Sequence, residues 1–366
     1  MTEMLVAQRR EHLLNELKAS GGLKVIDLAA RLGVSRATVR RDLLDLESEG
    51  KLSRVRGGAM LATTHGTAPA QTVVPAPRSA LPQDGPAVGL VVPSATYYYP
   101  RIVAGVQAEA AQRGARVVIT LTQYSGGNNT ERIDELAASG VAGLLVALPG
   151  GHDLPEQHLQ ELEETGLPFV LLERQPHDPF AACEFVATDH RQGAFAAVRH
   201  LSMLGHQKVA LFTNGSPTAG LIQQGHEAAL KRLGLDADVP VVDSGRPILG
   251  SDKAAECYDQ FISACLTGQV KAALVHSDHD AIELLRRMRL QGLKAPKDLA
   301  LIAYDDEIAS LADVPLTAVS PPKHEIGEYA ARLLLDRLEA PDTTTVPVRQ
   351  MLLQPRLTIR SSCGTA

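Results

Sequence analysis

Long apolar runs are absent from this 366-residue chain: the longest, Val141 to Leu148, is strand-sized, well short of the roughly 18 residues a membrane span needs. An integral membrane protein is not expected. No secretory leader is expected at the N-terminus, because Glu3, Arg9, Arg10 and Glu11 interrupt the stretch that would have to be apolar. The chain is therefore expected to stay in the cytoplasm, which argues against a secreted transport protein. Cysteine is scarce, and Cys183, Cys257, Cys265 and Cys363 form no C-x-x-C pair and have no His at ligand spacing. Neither a zinc site nor a redox dithiol is expected. His276-Ser-Asp-His-Asp280 holds metal-ligand types but spans a strand-to-helix junction whose side chains diverge, so no metal is expected there either. There is no G-x-G-x-x-G, and Tyr124-Ser-Gly-Gly-Asn-Asn lacks the Gly-Lys-Ser/Thr of a phosphate loop. No cofactor is implied, and no Ser/His/Asp set stands in a nucleophile context.

Positive charge is also in short supply, with a net charge of −6. Residues 1–61 nevertheless hold 11 Lys and Arg against 8 Asp and Glu, a balance of +3 that leaves −9 for the remainder. A polyanion-binding surface must therefore sit at the N-terminus. What is present is an ordinary soluble composition, 45% hydrophobic and 21% charged, long enough for two to three domains.

The first 61 residues are periodic at helical spacing: Leu5, Leu13, Leu14 and Leu17, then Val25, Leu28, Ala29 and Leu32. Gly33 and Val34 make a turn, Ser35 is a good N-cap, and Val39, Leu43 and Leu46 give a third helix one inward face. Helix, short turn, helix is the helix-turn-helix plan. The two alternating runs of Lys51 to Met60, about Gly57-Gly58, read as a hairpin, completing a winged helix. Ser35, Arg36, Thr38, Arg40 and Arg41 then fall at the exposed N-terminal end of the third helix. That end enters the major groove in such proteins. Arg can address guanine or phosphate there, and Arg54 and Arg56 on the wing suit backbone or minor-groove contact.

Residues 62–86 turn to Ala, Thr and Pro, with five prolines and no apolar period, and read as a flexible linker. From residue 87 to 366, strand candidates such as Val88–Val92, Arg116–Leu121, Gly143–Leu148 and Phe169–Leu172 alternate with helix candidates. The alternation resumes beyond Asp189, with strands at Lys208–Phe212, Val239–Val242, Ala272–Val275 and Leu299–Ile302. This spacing predicts an α/β fold of parallel sheets in two lobes. Ligands of such sheets bind beyond the carboxyl ends of the strands.

The stretch Val25-Ile-Asp-Leu-Ala-Ala-Arg-Leu-Gly-Val-Ser-Arg-Ala-Thr-Val-Arg-Arg-Asp-Leu, with Glu49-Gly-Lys-Leu-Ser-Arg-Val-Arg-Gly-Gly-Ala, resembles the winged helix of DeoR-family bacterial regulators. The remainder resembles the effector domain of lactose/galactose repressors. Asp189-His-Arg-Gln-Gly193, Leu204-Gly-His206, Leu171-Leu-Glu-Arg174, Ser277-Asp278, Ala303-Tyr-Asp-Asp306 and Leu316-Thr-Ala-Val carry that likeness. It is nearest to arabinose-repressor-type regulators in Tyr99-Pro-Arg-Ile-Val-Ala-Gly and in Leu316-Thr-Ala-Val-Ser-Pro-Pro-Lys-His-Glu-Ile-Gly. The resemblance implies two lobes like those of a periplasmic sugar-binding protein.

It implies also a homodimeric repressor of carbohydrate genes, with operator DNA and a sugar-like effector as partners. Asp278 and Asp305 match family ligand positions, and Tyr97, Tyr98 and Tyr99 offer flat faces with hydroxyl tips, suited either to stacking on a sugar or to walling the neighbouring lobe. Ser94 and Thr96 are weaker hydroxyl partners. Two departures stand out. An Arg that grips effector hydroxyls three residues before the matching Gly225 is here Ile222, and the short operator-binding hinge helix is replaced by the Pro-rich linker. The first makes arabinose an unsafe inference, and the second sends any allosteric signal through dimer geometry. The rival reading is a sugar-phosphate isomerase or kinase-like enzyme fused to a DNA-binding module, since DeoR-type winged helices usually precede a phosphosugar-sensing domain.

Overall fold

The computed structural model describes residues 22–24, 39, 52–55, 58–61, 85–122, 129–245, 247, 250–340, 342 and 346–364. The chain forms two compact units, Met1–Pro77 and Arg78–Ala366. In the first, β1 (Gly22–Lys24), β2 (Leu52–Val55) and β3 (Gly58–Leu61) make an antiparallel sheet in the order β1-β3-β2. Leu52 lies opposite Leu61 and Val55 opposite Gly58, the register of the expected hairpin, and β1 adds an edge strand that periodicity did not indicate. Val39 is helical and fully buried, as its place on an inward face requires. Arg54 lies on β2 opposite Ala59. Ser35, Arg36, Thr38, Arg40, Arg41 and Arg56 lie outside the described residues.

The second unit holds two six-stranded sheets. Lobe 1 has the order β16-β10-β8-β6-β4-β5, built from β4 (Ala87–Val92), β5 (Arg116–Leu121), β6 (Gly143–Val146), β8 (Phe169–Leu172), β10 (Glu184–Thr188) and β16 (Gln350–Leu353). All its pairings are parallel. Its inner strands β4, β6, β8 and β10 are buried on both faces, while the edge strands β5 and β16 are partly exposed, and the alternation along the inner strands sorts their side chains cleanly. Val88, Leu90 and Val92 face α1 (Tyr99–Gln112) and α8 (Lys323–Glu339), while Ala87 and Val91 face α2 (Asn129–Ala138) and α3 (Glu156–Glu164).

Lobe 2 has the order β12-β11-β13-β14-β15-β17, from β11 (Ala210–Thr213), β12 (Val241–Asp243), β13 (Ala272–Val275), β14 (Ala300–Tyr304), β15 (Thr317–Ser320) and β17 (Arg356–Thr358), with only β17 antiparallel. Phe212, Val275 and Leu301 face α6 (Asp252–Thr267) and α7 (Asp278–Leu290). Leu211, Leu274 and Ile302 face α4 (His190–Met203) and α5 (Ala219–Leu233). A two-stranded ribbon of β7 (Asp153–Leu154) and β9 (Gln175–Pro176) flanks lobe 1.

The lobes are joined three times: β10 of lobe 1 feeds α4 of lobe 2, β15 of lobe 2 feeds α8 of lobe 1, and β16 runs into β17. Where α8 returns to lobe 1 it crosses α1 backbone to backbone. A Cβ on Gly327 would stand 2.0 Å from the Ile102 carbonyl oxygen, and one on Gly105 2.0 Å from that of His324. Only glycine permits this approach. Ion pairs brace the crossing, Arg332 with Glu109 at 3.0 Å and Arg113 with Asp336 at 2.7 Å.

Candidate functional site

A cavity of about 410 Å³ lies between the lobes. Every residue on its wall follows the carboxyl end of a parallel strand. Tyr97, Tyr98 and Tyr99 follow β4, Glu173 and Arg174 follow β8, and His190 follows β10. From lobe 2 come Asn214, Ser216, Pro217 and Thr218 after β11, His276 and Ser277 after β13, and Asp305 after β14. Strand ends there carry polar loops that the sheets themselves do not use.

The three tyrosines have separate roles. Tyr97 has a positive φ of 59°, which swings it toward lobe 2. Its hydroxyl donates to Asp305 Oδ2 at 3.0 Å and its ring lies 4.7 Å from that of His279. Burial and the Asp305 carboxylate push its phenol well above the ordinary range. Tyr98 donates to Glu173 Oε1 at 2.7 Å, with Lys323 Nζ 4.9 Å from its ring centroid. Tyr99 is the first residue of α1, 3% exposed. The first two use their hydroxyls inside the protein and so wall the cleft. Ser94 and Thr96 bond to each other at 2.9 Å, away from the cavity wall.

On the lobe 1 side, Glu173 is buried yet fully partnered. It accepts from Tyr98, from the Thr188 N–H at 3.0 Å and hydroxyl at 2.8 Å, and lies 3.7 Å from His190 Nε2. Burial alone would raise its pKa, but the His190 contact and charge, with the Thr188 and Tyr98 donors, hold it down at about 2. Arg174, 3% exposed, donates from Nε to the Leu148 carbonyl at 2.8 Å and from Nη1 to that of Glu173 at 2.7 Å. Its Nη2 is buried with no partner among the described residues. Behind them His152 is buried, its ring edge-on to His190 at 6.3 Å, and burial with the neighbouring His190 pushes it down to about 4.

On the lobe 2 side, His276 meets Ser216 Oγ at 3.3 Å and lies 3.8 Å from Asp305 Oδ2. Asp305 has a φ of 94°, and Lys323 Nζ bonds its carbonyl and the Glu307 carboxylate. Asp278, expected beside Asp305 at the effector, is not on the cavity wall. It is wholly buried and accepts from the N–H groups of Asp306 at 3.3 Å, Glu307 at 2.6 Å and Ile308 at 3.0 Å. Its carboxylate shapes the loop that carries Asp305. Burial and the nearby Asp305 charge raise it to about 7 against those three donors. Ile222 is fully buried in the lobe 2 core, so the side chain at this position does not reach the cavity wall.

Glu173, Arg174, His190 and Asn214 were not singled out from sequence, and His276 was weighed there only as a metal ligand. The signal was there: each follows a strand end, and Leu171-Leu-Glu-Arg174 had been matched as a motif. Among the described residues no group of three or more His, Cys, Asp or Glu is placed to hold a metal, and no helix is long and apolar enough to cross a membrane.

Two family profiles match the chain: a periplasmic binding protein-like domain over residues 198–363, and a DeoR-like helix-turn-helix domain over residues 9–65. The transcriptional regulator CelR of Thermobifida fusca is 31% identical over 271 residues, covering 72% of this chain and 76% of its own length. The arabinose metabolism transcriptional repressor of Geobacillus stearothermophilus is 25% identical over 346 residues, 92% of this chain and 89% of its own. Among solved structures, a CelR–cellobiose complex superposes with a TM-score of 0.64 at 24% identity, covering 93% of this chain and 99% of that one. A LacI-family regulator of Enterococcus faecium with bound ribose gives 0.61 at 22%, covering 75% and 98%. These two likenesses establish the shared fold; the identity to CelR over most of its length establishes kinship. The chain belongs to the LacI family of transcriptional regulators, with the family's two-lobed periplasmic-binding-protein-like fold and a DeoR-like helix-turn-helix at its N-terminus.

Proposed function

We propose that this regulator is a repressor of carbohydrate-use genes whose operator affinity is set by a small sugar-like polyol bound between the two lobes. The observation that carries the reading is the cavity itself. It opens at the carboxyl ends of both sheets, and its wall holds three buried side-chain atoms with no hydrogen-bond partner among the described residues: His190 Nε2, which lies 3.7 Å from the Glu173 carboxylate, and a pair on opposite lobes, Arg174 Nη2 on one and Asn214 Oδ1 on the other. Buried polar groups are nearly always satisfied, so such a pair on facing walls asks for a ligand rich in hydroxyls. Asp305 adds a carboxylate able to accept from such hydroxyls. The relatives named for arabinose metabolism and the structures holding ribose and cellobiose support the same class.

In this reading residues 1–61 bind DNA, residues 62–86 link, and residues 87–366 bind the effector. Ser35, Arg36, Thr38, Arg40 and Arg41 contact the operator's major groove, and Arg54 and Arg56 its flanks. One recognition helix reads only a few base pairs, so a cytoplasmic homodimer on a pseudo-palindromic site supplies the specificity. The protein senses its ligand without turning it over. A coupling of roughly 1–3 kcal/mol changes operator affinity about 5- to 150-fold.

The test is thermal unfolding of the full chain against neutral sugars and their phosphates, with gel-shift measurement of operator binding beside it. A stabilising sugar that also changes operator affinity and is recovered unchanged supports the reading. Turnover of that sugar, or stabilisation without any change in operator affinity, refutes it.

A further inference from the structure

Asn214 stands at the end of β11, where its amide must choose which atom to show the cavity. The nitrogen and oxygen of an amide have nearly the same size, so the choice is made by hydrogen-bond chemistry rather than by packing. Here Nδ2 donates to Asp280 Oδ2 at 2.9 Å. Asp280 is 4% exposed and gathers three further donors: the Tyr258 hydroxyl at 2.7 Å, the Ser277 N–H at 2.8 Å and the Ser277 hydroxyl at 3.0 Å. The Ser277 N–H bond belongs to the capping box that starts α7, which ties Asp280 to the helix end. A carboxylate so surrounded by donors is an acceptor only. Turning the Asn214 amide over would set oxygen against oxygen in a buried site. Oδ1 is thus held away from Asp280 and is left buried, with no partner among the described residues. On the same lobe the Asp305 carboxylate also lines the cavity and also accepts, from Tyr97.

We propose that Asp280 is a positioning residue that locks Asn214 as a hydrogen-bond acceptor, so that the cleft requires its ligand to present a donating hydroxyl to lobe 2. This rests on the reading that a sugar-like polyol is the effector, and it names the chemistry that polyol must supply. A free hydroxyl satisfies Asn214 Oδ1 by donating. A fluorine, a hydrogen or an ionised oxygen at the same place cannot donate, and leaves that oxygen buried and unsatisfied. Arg174 Nη2 on lobe 1, a donor, imposes no such demand, because any hydroxyl or fluorine lone pair can face it.

The experiment uses the full chain in thermal-shift and calorimetric titrations with D-ribose, L-arabinose, D-glucose and cellobiose, then with singly deoxyfluorinated forms of whichever sugar binds. At one ring position the hydroxyl-to-fluorine change is expected to weaken binding about 10- to 100-fold. In Asp280→Asn the neighbouring group can donate as well as accept, the Asn214 amide is free to turn, and the penalty should shrink to within about 3-fold. Because Asp280→Asn disturbs a helix cap, Asn214→Ala serves as the second variant: it removes the acceptor and leaves the cap donors in place. There too the fluoro analogue should bind as well as its parent. A merely structural role for Asp280 would weaken parent and analogue alike and keep their ratio. Fluoro analogues that bind like the parent at every position, or a ratio unmoved in both variants, overturns this proposal while the effector reading stands. Failure of all four sugars to bind overturns the effector reading itself.

Discussion

Replacing Glu173 by Gln removes a charge that the fold holds under four contacts, and the size of the effect can be worked out. The Glu173 carboxyl is held at about 2 against an ordinary 4.5, so its native state gives up its proton more readily than the unfolded chain does. At about 1.36 kcal/mol per unit, the ionised form contributes about 3 kcal/mol at neutral pH. A depressed carboxylate pKa gives a stabilisation that is complete above the unfolded value and lost as pH falls through the folded one, here between 4.5 and 2. About 2 kcal/mol should already be gone at pH 3. The amide of Gln does not titrate in this range, and it turns an N–H donor toward groups that themselves donate. Glu173→Gln should therefore be less stable by about 3 kcal/mol at pH 7, with a gap that narrows steeply below pH 4. The chain has no tryptophan, so urea unfolding is best followed by far-ultraviolet circular dichroism, at pH 7, 5, 4 and 3. A gap that stays constant from pH 7 to pH 3 would show that Glu173 packs as a neutral group and would refute the argument.

His152 should behave in a related way: held at about 4 against 6.5, it takes up a proton less readily when folded. Stability should fall as pH drops from 6.5 toward 4, by up to about 3 kcal/mol, and an imidazole signal titrating near 6.5 in NMR would contradict this. Gly327→Ala puts a methyl group against the Ile102 carbonyl and should cost about 1–3 kcal/mol in calorimetry; an unchanged melting temperature would mean that the α1–α8 crossing is looser than described. Arg40→Ala together with Arg41→Ala should abolish specific operator binding in a gel-shift assay while the sugar-induced thermal shift persists; full operator affinity in that double variant would move DNA recognition elsewhere.

Periodicity alone placed most of the parallel strands and their covering helices, because a strand buried on both faces is a short apolar run and a covering helix repeats its apolar residues at 3.6. The hairpin of β2 and β3 was an equally local signal. Edge elements were harder. The pairing of β1 with β3 and the closing strands β16 and β17 depend on partners far away in sequence, which no local pattern reports.

The site divides along the same line. That polar residues after strand ends face a common cleft follows from the sheet topology, and Asp305, which the family resemblance had pointed to, and the tyrosines do lie on its wall. Asp278 and Asp305 look alike in sequence, each an acid just beyond a strand. Only the tertiary structure separates them, since the backbone N–H groups of residues 306–308 enclose the Asp278 carboxylate while Asp305 turns to the cavity. Three consecutive tyrosines part company because a positive φ at Tyr97 sends one hydroxyl across to an acid 208 residues away. Sequence by itself determined the elements and the faces they bury, which are set by local spacing. Which polar atoms are saturated and which are left for a ligand was decided by contacts between segments distant in sequence, which meet only when the chain is folded.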